Sequence, residues 1–171
     1  MGKFFDDALL LIVDVQKGFI NKYTDSIPSR IASIIPKYRN IVATRFYNTD
    51  GSQYERLIGW SRLKKNTIEF DLAIDLPTDA IIIDKRNKYT CVNDKLKKII
   101  REKSIKSVHL CGIDTSICVT KCATDLFEND IKPVVLADYC ASTAGKEDHE
   151  CALRILKRLI GKDQVVVAGD N

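Results

Sequence analysis

The stretch HLCGIDTSICVTKCATDLFEND, at residues 109–130, decides how the rest of the chain is interpreted. Its first residues continue an apolar run from residue 104 that favours a strand, and Gly112 interrupts that run. Residue types that cap helix N-termini follow at 114–116, and apolar side chains then recur at helical spacing. The pattern predicts a buried strand, a tight turn and a helix whose first turn carries Cys118.

Cys118 is a candidate nucleophile because of this place in the pattern. Unpaired N–H groups and the positive end of the dipole favour an anion at a helix N-terminus, so a thiol there tends towards the reactive thiolate. The alternative is a cysteine that only fills space in the core, as free cysteines commonly do. We interpret the other five cysteines as structural; they lie at positions 91, 111, 122, 140 and 151.

Length and composition predict one ordinary globular domain over residues 1–171, with 45% hydrophobic and 29% charged residues. The net charge of +4 is spread along the chain and predicts no nucleic-acid partner. The cysteines show no metal-ligand spacing, no apolar run reaches transmembrane length, and no signal-peptide pattern opens the chain. We therefore expect a cytoplasmic, reduced protein without a membrane partner, a metal or a cofactor.

Apolar runs alternate with segments of helical periodicity along the chain. This alternation predicts a three-layer α/β fold, with about six parallel strands and helices on both faces. The expected strands cover residues 8–13, 40–46, 80–84, 104–110, 131–137 and 164–167, and the expected helices 26–38, 91–103, the Cys118 segment and 146–160. The long segment 47–78 is more polar, and within it residues 53–63 predict a short helix with Leu57, Ile58 and Trp60 facing inward.

Three chemically useful residues follow three of these strands. Asp14 ends the first strand, Lys85 follows the third, and Cys118 follows the fourth. Parallel strands end at the same edge of a sheet, where open α/β sheets bind their ligands. An ammonium beside a thiol lowers its pKa, and a carboxylate can accept the thiol proton and return it to a leaving amine. A turn or cap role is the alternative for Asp14.

Five ordered motifs make the chain similar to the isochorismatase-like cysteine hydrolase superfamily, whose members include nicotinamidases and N-carbamoylsarcosine amidases. The resemblance covers essentially the whole chain. The motifs are LLIVDVQKGF at 10–19, ATRFYN at 43–48, IIIDKRNKYTCV at 81–92, CGIDTSICV at 111–119, and ADYCAS at 137–142 with His149 after it.

The resemblance implies an Asp14–Lys85–Cys118 triad that works through a thioester acyl-enzyme. It also implies a cis peptide bond between Ile113 and Asp114, which directs the N–H groups of Asp114 and Cys118 towards an oxyanion. For the fold it implies a doubly wound sheet of strand order 3-2-1-4-5-6. For assembly it implies a homo-oligomer acting on a small-molecule substrate.

Departures from the family pattern refine this expectation. A cysteine nucleophile favours cleavage of the C–N bond of an amide or ureide over cleavage of a vinyl ether. Nicotinamidases resemble ATxDxH after the second strand, where Asp and His bind a metal, but here Phe46 and Asn48 occupy those positions, so we expect no such metal site. The lysine motif usually runs K-x-x-Y-S, which makes Lys88 a rival; we prefer Lys85 because it directly follows the buried IIID run.

The residues expected to contact substrate are weaker candidates, and each has a structural alternative. Arg45 suits a substrate carboxylate or a surface ion pair, Phe19 suits the pocket or the core, and Thr115 suits the substrate or its own turn. Tyr54 and Trp60 are further candidates for an aromatic wall. The candidate set is Gln16, Phe19, Arg45, Tyr47, Tyr89 and Thr115.

Three other functions are alternatives to a hydrolase. A catalytically silent member that binds a metabolite or partner has no need of a poised thiolate. A thiol redox protein, with Cys118 resolved by Cys122, meets restrictive disulfide geometry at helical i, i+4 spacing. A nucleotide-binding protein would be expected to carry a G-x-G-x-x-G or Walker loop, and this sequence has neither. The substrate stays open among nicotinamide, carbamoyl amines, ureides and biuret-like compounds.

Overall fold

A computed structural model describes residues 5–167 of the chain. One sheet of six parallel strands has the order β3-β2-β1-β4-β5-β6, so the expected fold class and strand order are confirmed. The strands are β1 (Phe5–Val13), β2 (Tyr38–Tyr47), β3 (Ile81–Arg86), β4 (Ser107–Ile113), β5 (Pro133–Ala141) and β6 (Val165–Val166).

Helices cover both faces of this sheet. They are α1 (Ile27–Ile34), α2 (Gln53–Ile58), α3 (Asp94–Glu102), α4 (Thr120–Glu128) and α5 (Lys146–Leu159). None of the helices within residues 5–167 combines the length and the apolar composition that crossing a bilayer requires.

β1 shows why the sheet is covered on both faces. Its side chains alternate, as they must in any strand. Leu10 and Ile12 pack in the core beneath α1, whereas Leu9 and Leu11 pack in the core beneath α3, α4 and α5. All four are fully buried, so the continuous apolar run places this strand at the centre of a three-layer fold.

Two helices are shorter than the periodicity predicted, for identifiable reasons. The Asn93 side chain accepts a hydrogen bond from the N–H of Leu96 at 2.9 Å, and this cap starts α3 at Asp94 rather than at residue 91. Pro36 lies in a 3₁₀ turn that follows the end of α1 at Ile34. A proline inside a helix removes a donor and clashes with the preceding turn, so the α-helical geometry stops before it.

The prediction for α2 is wrong in its inward face. Leu57 and Ile58 are 76% and 64% exposed, and the buried side chain of this helix is Tyr54. The helix has only six residues and ends at Gly59, whose φ of 65° is a left-handed C-cap. Extending the helical periodicity past Gly59 therefore predicts the wrong buried face for α2.

Gly112 lies within β4 and does not end it, contrary to the expectation from its residue type. Its φ is +124°, and a Cβ atom at this position would stand 2.1 Å from the carbonyl oxygen of Val13. Only glycine tolerates that close approach of β4 to β1. The contact brings the end of β4 against the end of β1, where Asp14 follows.

Candidate active site

A buried carboxylate–ammonium pair lies at the carboxyl edge of the sheet. Lys85 Nζ is 2.6 Å from Asp14 Oδ2, and the two side chains are 1% and 0% exposed. Thr44 Oγ1 accepts a hydrogen bond from the Asp14 N–H at 3.2 Å and donates one to Asp14 Oδ1 at 2.7 Å. Lys85 Nζ also donates to the carbonyl oxygen of Tyr89 at 2.7 Å. The neighbouring strands β1, β2 and β3 therefore hold both charged groups in fixed positions.

Cys118 lies in a π-helical turn, Thr115–Val119, that directly precedes α4. The Asp114 carboxylate shapes this turn. Its Oδ1 accepts hydrogen bonds from Ser116 N (3.2 Å) and Ser116 Oγ (2.9 Å), and its Oδ2 accepts them from Thr143 N (2.8 Å) and Thr143 Oγ1 (2.5 Å). The peptide bond between Ile113 and Asp114 is cis. The π-helical turn runs directly into α4, so Cys118 lies in the first turn of one continuous helical segment, as the sequence predicts.

Burial favours the protonated form of the Cys118 thiol, whereas its place at a helix N-terminus favours the thiolate. Burial raises the pKa of this thiol well above its ordinary value; the charge of Lys85 lowers it, and that of Asp14 raises it again. Burial opposes the charge of Lys85, but Asp14 and the nearby thiols raise its pKa overall, so the ammonium is retained. Attack by sulfur therefore requires a base, and the carboxylate whose charge and hydrogen bond act on this thiol is that of Asp14.

We expect alkylation of Cys118 by iodoacetamide to accelerate about tenfold for each pH unit between about pH 6 and pH 8. Only thiolate reacts, and below the thiol pKa its fraction rises tenfold per unit. Mass spectrometry of the Cys118 peptide measures the rate. Alkylation of Cys151, the exposed cysteine of α5, serves as the internal control for reagent activity in the same sample. A rate that is already constant near pH 7 would contradict the raised pKa.

A cavity of about 270 Å³ opens over Cys118. Two of the candidate substrate-contacting residues, Phe19 and Tyr89, line it. Tyr54 and Trp60, suggested as parts of an aromatic wall, line it as well. The cavity lies between the carboxyl edge of the sheet and the long segment that connects β2 to β3. A small molecule can reach the Cys118 thiol through this cavity.

Gln16 and Thr115 do not line this cavity, and the roles expected for their side chains do not fit. The Gln16 amide donates to the carbonyl oxygens of Phe46 (3.0 Å) and Phe70 (2.9 Å) and accepts from the N–H of Phe46 (2.7 Å). Thr115 Oγ1 is fully buried, 2.8 Å from His149 Nδ1. The Gln16 side chain instead holds the backbone of two neighbouring segments, and the Thr115 side chain contacts His149 of α5.

Arg45 and Tyr47 also lie away from the cavity. Arg45 Nε forms an ion pair with Asp84 Oδ1 at 2.8 Å and stacks on the Phe70 ring, so the surface-pair alternative is the correct one. Tyr47 packs edge-to-face against Phe70, with ring centroids 6.1 Å apart. Strand alternation turns both side chains to the face of β2 opposite that of Thr44.

Burial and the contact with Asp14 favour Lys85 over Lys88 as the lysine of the expected triad. Lys85 is 4% exposed and contacts Asp14, whereas Lys88 is exposed in the loop after β3. Of the cysteines interpreted as structural, Cys151 is exposed on α5 and does not pack in the core. The other four are buried.

Sequence reasoning missed Thr44, the hydroxyl partner of Asp14, although it lies in the quoted ATRFYN motif. A lone hydroxyl in a buried apolar strand is a usable signal, because it must find a hydrogen-bond partner. Asn21, Arg62 and Thr143 were also missed as cavity-lining residues. They lie outside the helices and strands, and no local pattern identifies them.

Comparison with known proteins places this architecture in context. Residues 8–168 match the family model described as the isochorismatase domain. An uncharacterised isochorismatase family protein of Bacillus subtilis, YwoC, is 26% identical over 94% of this chain and 90% of its own length.

Solved structures share the fold over nearly the whole chain. The pyrazinamidase of Pyrococcus horikoshii in complex with zinc has a TM-score of 0.79 at 26% identity, over 95% of this chain and 98% of its own. The nicotinamidase of Bacillus subtilis has a TM-score of 0.78 at 22% identity, over 94% and 99%. An isochorismatase-like hydrolase of Alkaliphilus metalliredigens has a TM-score of 0.80 at 21% identity, over 94% and 93%.

The residues at the end of β2 do not fit a zinc site of the kind expected from the ATxDxH pattern. The Phe46 ring packs against Tyr54 and Trp60, with centroids 5.1 and 5.6 Å away. Asn48 donates to the carbonyl oxygen of Trp60 at 2.9 Å and accepts from Ser52 Oγ, so its amide is already engaged. Within residues 5–167, no three His, Cys, Asp or Glu side chains cluster as metal ligands. We derive no catalytic step through a metal.

Proposed function

The chain belongs to the isochorismatase family, and from that premise we propose that it hydrolyses the C–N bond of a small amide or ureide. The observation that carries the proposal is the buried Asp14–Lys85 pair beside a thiol that opens into a cavity. The proposed nucleophile (Cys118), base (Asp14) and positive counter-charge (Lys85) then lie at one edge of the sheet. Amidase chemistry also agrees with the relatives named nicotinamidase and pyrazinamidase.

In the first half-reaction, Asp14 accepts the proton of the Cys118 thiol, and the sulfur attacks the carbonyl carbon of the substrate. The N–H groups of Asp114 and Cys118 stabilise the oxyanion that develops on the carbonyl oxygen. As the tetrahedral intermediate collapses, the C–N bond breaks and Asp14 returns the proton to the leaving nitrogen. The products of this step are ammonia or an amine and a thioester on Cys118.

In the second half-reaction, Asp14 accepts a proton from water, whose oxygen attacks the thioester carbonyl. The C–S bond breaks, the acid is released and the thiol regains its proton. Lys85 keeps its charge throughout, because Asp14 raises its pKa. It therefore fixes the position of Asp14 and offsets negative charge as the thiolate forms.

The proposal is tested by ammonia release from a panel of small amides and ureides in the presence of a chelator. Samples quenched in acid are digested and searched by mass spectrometry for an acyl group on the Cys118 peptide. We expect ammonia release that survives chelation, together with a thioester adduct that hydroxylamine removes.

Hydrolysis abolished by the chelator would contradict the metal-independent mechanism. If no compound released ammonia and Cys118 alkylated no faster than buried Cys111, a catalytically silent binding protein would be the better interpretation.

A further inference from the structure

Five aromatic side chains line the cavity around Cys118. We call Phe19, Phe46, Tyr54, Trp60 and Tyr89 the aromatic wall. Its rings form one connected cluster: Phe46 lies 5.1 Å from Tyr54 and 5.6 Å from Trp60 between centroids, and Tyr54 lies 5.1 Å from Tyr89. Phe19 and Trp60 are parallel within 4°, with centroids 6.4 Å apart. A flat apolar group entering the cavity meets aromatic surface.

The charged groups that reach the cavity already have partners. Arg62 donates to Glu69 Oε1 through Nε (2.9 Å) and Nη2 (2.7 Å), and Nη2 also donates to the carbonyl oxygen of Gly18. The Asp114 carboxylate is occupied by Ser116 and Thr143. A charged substrate would have to compete with Glu69 for Arg62, or with Ser116 and Thr143 for Asp114.

The polar side chain of Asn21 is committed as well. Its Nδ2 donates to the carbonyl oxygen of Thr143 at 2.9 Å, and its Oδ1 accepts from the N–H of Tyr23 at 2.9 Å. The amide therefore holds two loops together at the cavity mouth. It adds no uncommitted group that would select a charged or strongly polar acyl group.

We propose that the substrate is an amide whose acyl group is flat, uncharged and apolar, and that Phe46 and Trp60 select it by ring contact. This inference rests on the proposed function for its reaction, but binding to the wall does not depend on turnover. The volume of about 270 Å³ lies just below the range of about 300–1,000 Å³ for drug-sized ligands, so a single ring suits it. Phe46 and Trp60 can contact a ring whether or not it contains a heteroatom, so benzamide is the simplest probe.

Trp60 is the chain's one tryptophan, and it lines the cavity, so its fluorescence reports binding directly. In a Cys118→Ala protein, which has no nucleophile, we titrate benzamide, nicotinamide and N-carbamoylglycine and follow Trp60 emission. We expect benzamide to bind at least as tightly as nicotinamide and about tenfold or more tightly than N-carbamoylglycine, whose charge lacks a partner.

Three variants in the same background separate ring contact from polar recognition. Phe46→Leu removes a ring from the wall and should weaken benzamide binding about tenfold. Tyr47→Leu, one residue further along β2, removes a ring that packs outside the cavity against Phe70 and should leave the affinity unchanged. Tyr54→Phe keeps the ring and loses the hydroxyl, and should also leave it unchanged. Thermal unfolding confirms that each protein is folded before titration.

Nicotinamide binding tenfold more tightly than benzamide would overturn the inference, as would preference for N-carbamoylglycine or no response to benzamide. Equal loss in Phe46→Leu and Tyr47→Leu, or loss in Tyr54→Phe, would overturn it too. Because these titrations require no turnover, benzamide binding without ammonia release from any compound of the panel would reject the proposed function and leave only the ring preference of the cavity standing.

Discussion

Cys118→Ala is expected to lower amide hydrolysis by at least about 10⁴-fold, to the level of the uncatalysed reaction plus what substrate binding supplies. The thiol is the nucleophile of the proposed mechanism, and among residues 5–167 no other sulfur lines the cavity. Substrate binding should persist, because the aromatic wall is intact. The loss is measured as kcat/KM for ammonia release, at enzyme concentrations high enough to detect residual turnover.

Cys111→Ala is the matched control for this change. Cys111 is a fully buried thiol on β4 that packs beneath α1, on the other face of the sheet from Cys118. Losing its sulfur costs core packing on that face of the sheet, and Cys111 does not line the cavity, so activity should remain close to wild type. Activity above about 1% in Cys118→Ala, or an equal loss in both variants, would contradict the assignment of the nucleophile.

The sheet was predictable from the sequence because its signal is local. A continuous apolar run such as that of residues 8–13 can be buried on both faces in only a few ways, and strands that alternate with helices must run parallel. Asp14, Lys85 and Cys118 come together because parallel strands end at one edge. The proximity of these three residues follows from the strand topology and does not depend on the conformation of any loop.

The segment between β2 and β3 was not predictable in the same way. Its path is fixed by contacts far apart in the chain, such as the Gln16 amide that holds the backbone of both Phe46 and Phe70. No local periodicity encodes those bonds. Helical spacing applied to this segment therefore placed Leu57 and Ile58 inside, where the structure exposes them.

Strand alternation would have sorted the residues of β2 once one of them was placed. Thr44 contacts Asp14, so Phe46, two residues on, shares its face and lines the cavity. Arg45 and Tyr47 must then point to the opposite face, where they meet Phe70. The partner of Asp14 was the missing fact, since a hydroxyl in an apolar strand was not treated as a candidate.

The buried pair offers the second large effect, because its two charges stabilise each other. Asp14→Asn leaves the Lys85 ammonium buried without a counterion, and Lys85→Met leaves the Asp14 carboxylate in the same state. Each single change is expected to lower the free energy of unfolding by about 3–5 kcal/mol. Each should also reduce hydrolysis by at least about 10³-fold, since proton transfer to and from Asp14 is lost or misdirected.

The double variant Asp14→Asn with Lys85→Met separates stability from catalysis. With neither charge buried, most of the lost free energy of unfolding should return, because isosteric uncharged replacements of a buried pair are commonly close to neutral. Hydrolysis should not return, because asparagine accepts no proton from the thiol. Asp84→Asn is the control: it breaks the partly exposed Arg45 pair and should cost less than about 1 kcal/mol with activity unchanged.

Urea unfolding gives the free energies of the four variants and of the wild type, and ammonia release gives their rates. If the pair only supported the fold, stability and activity would return together in the double variant, and that result would remove Asp14 from the mechanism. If stability stayed as low as in the single variants, the loss would come from the carboxylate's bond to Thr44, which asparagine keeps only in part. Recovery of stability without activity is the outcome that assigns the proton transfer to Asp14.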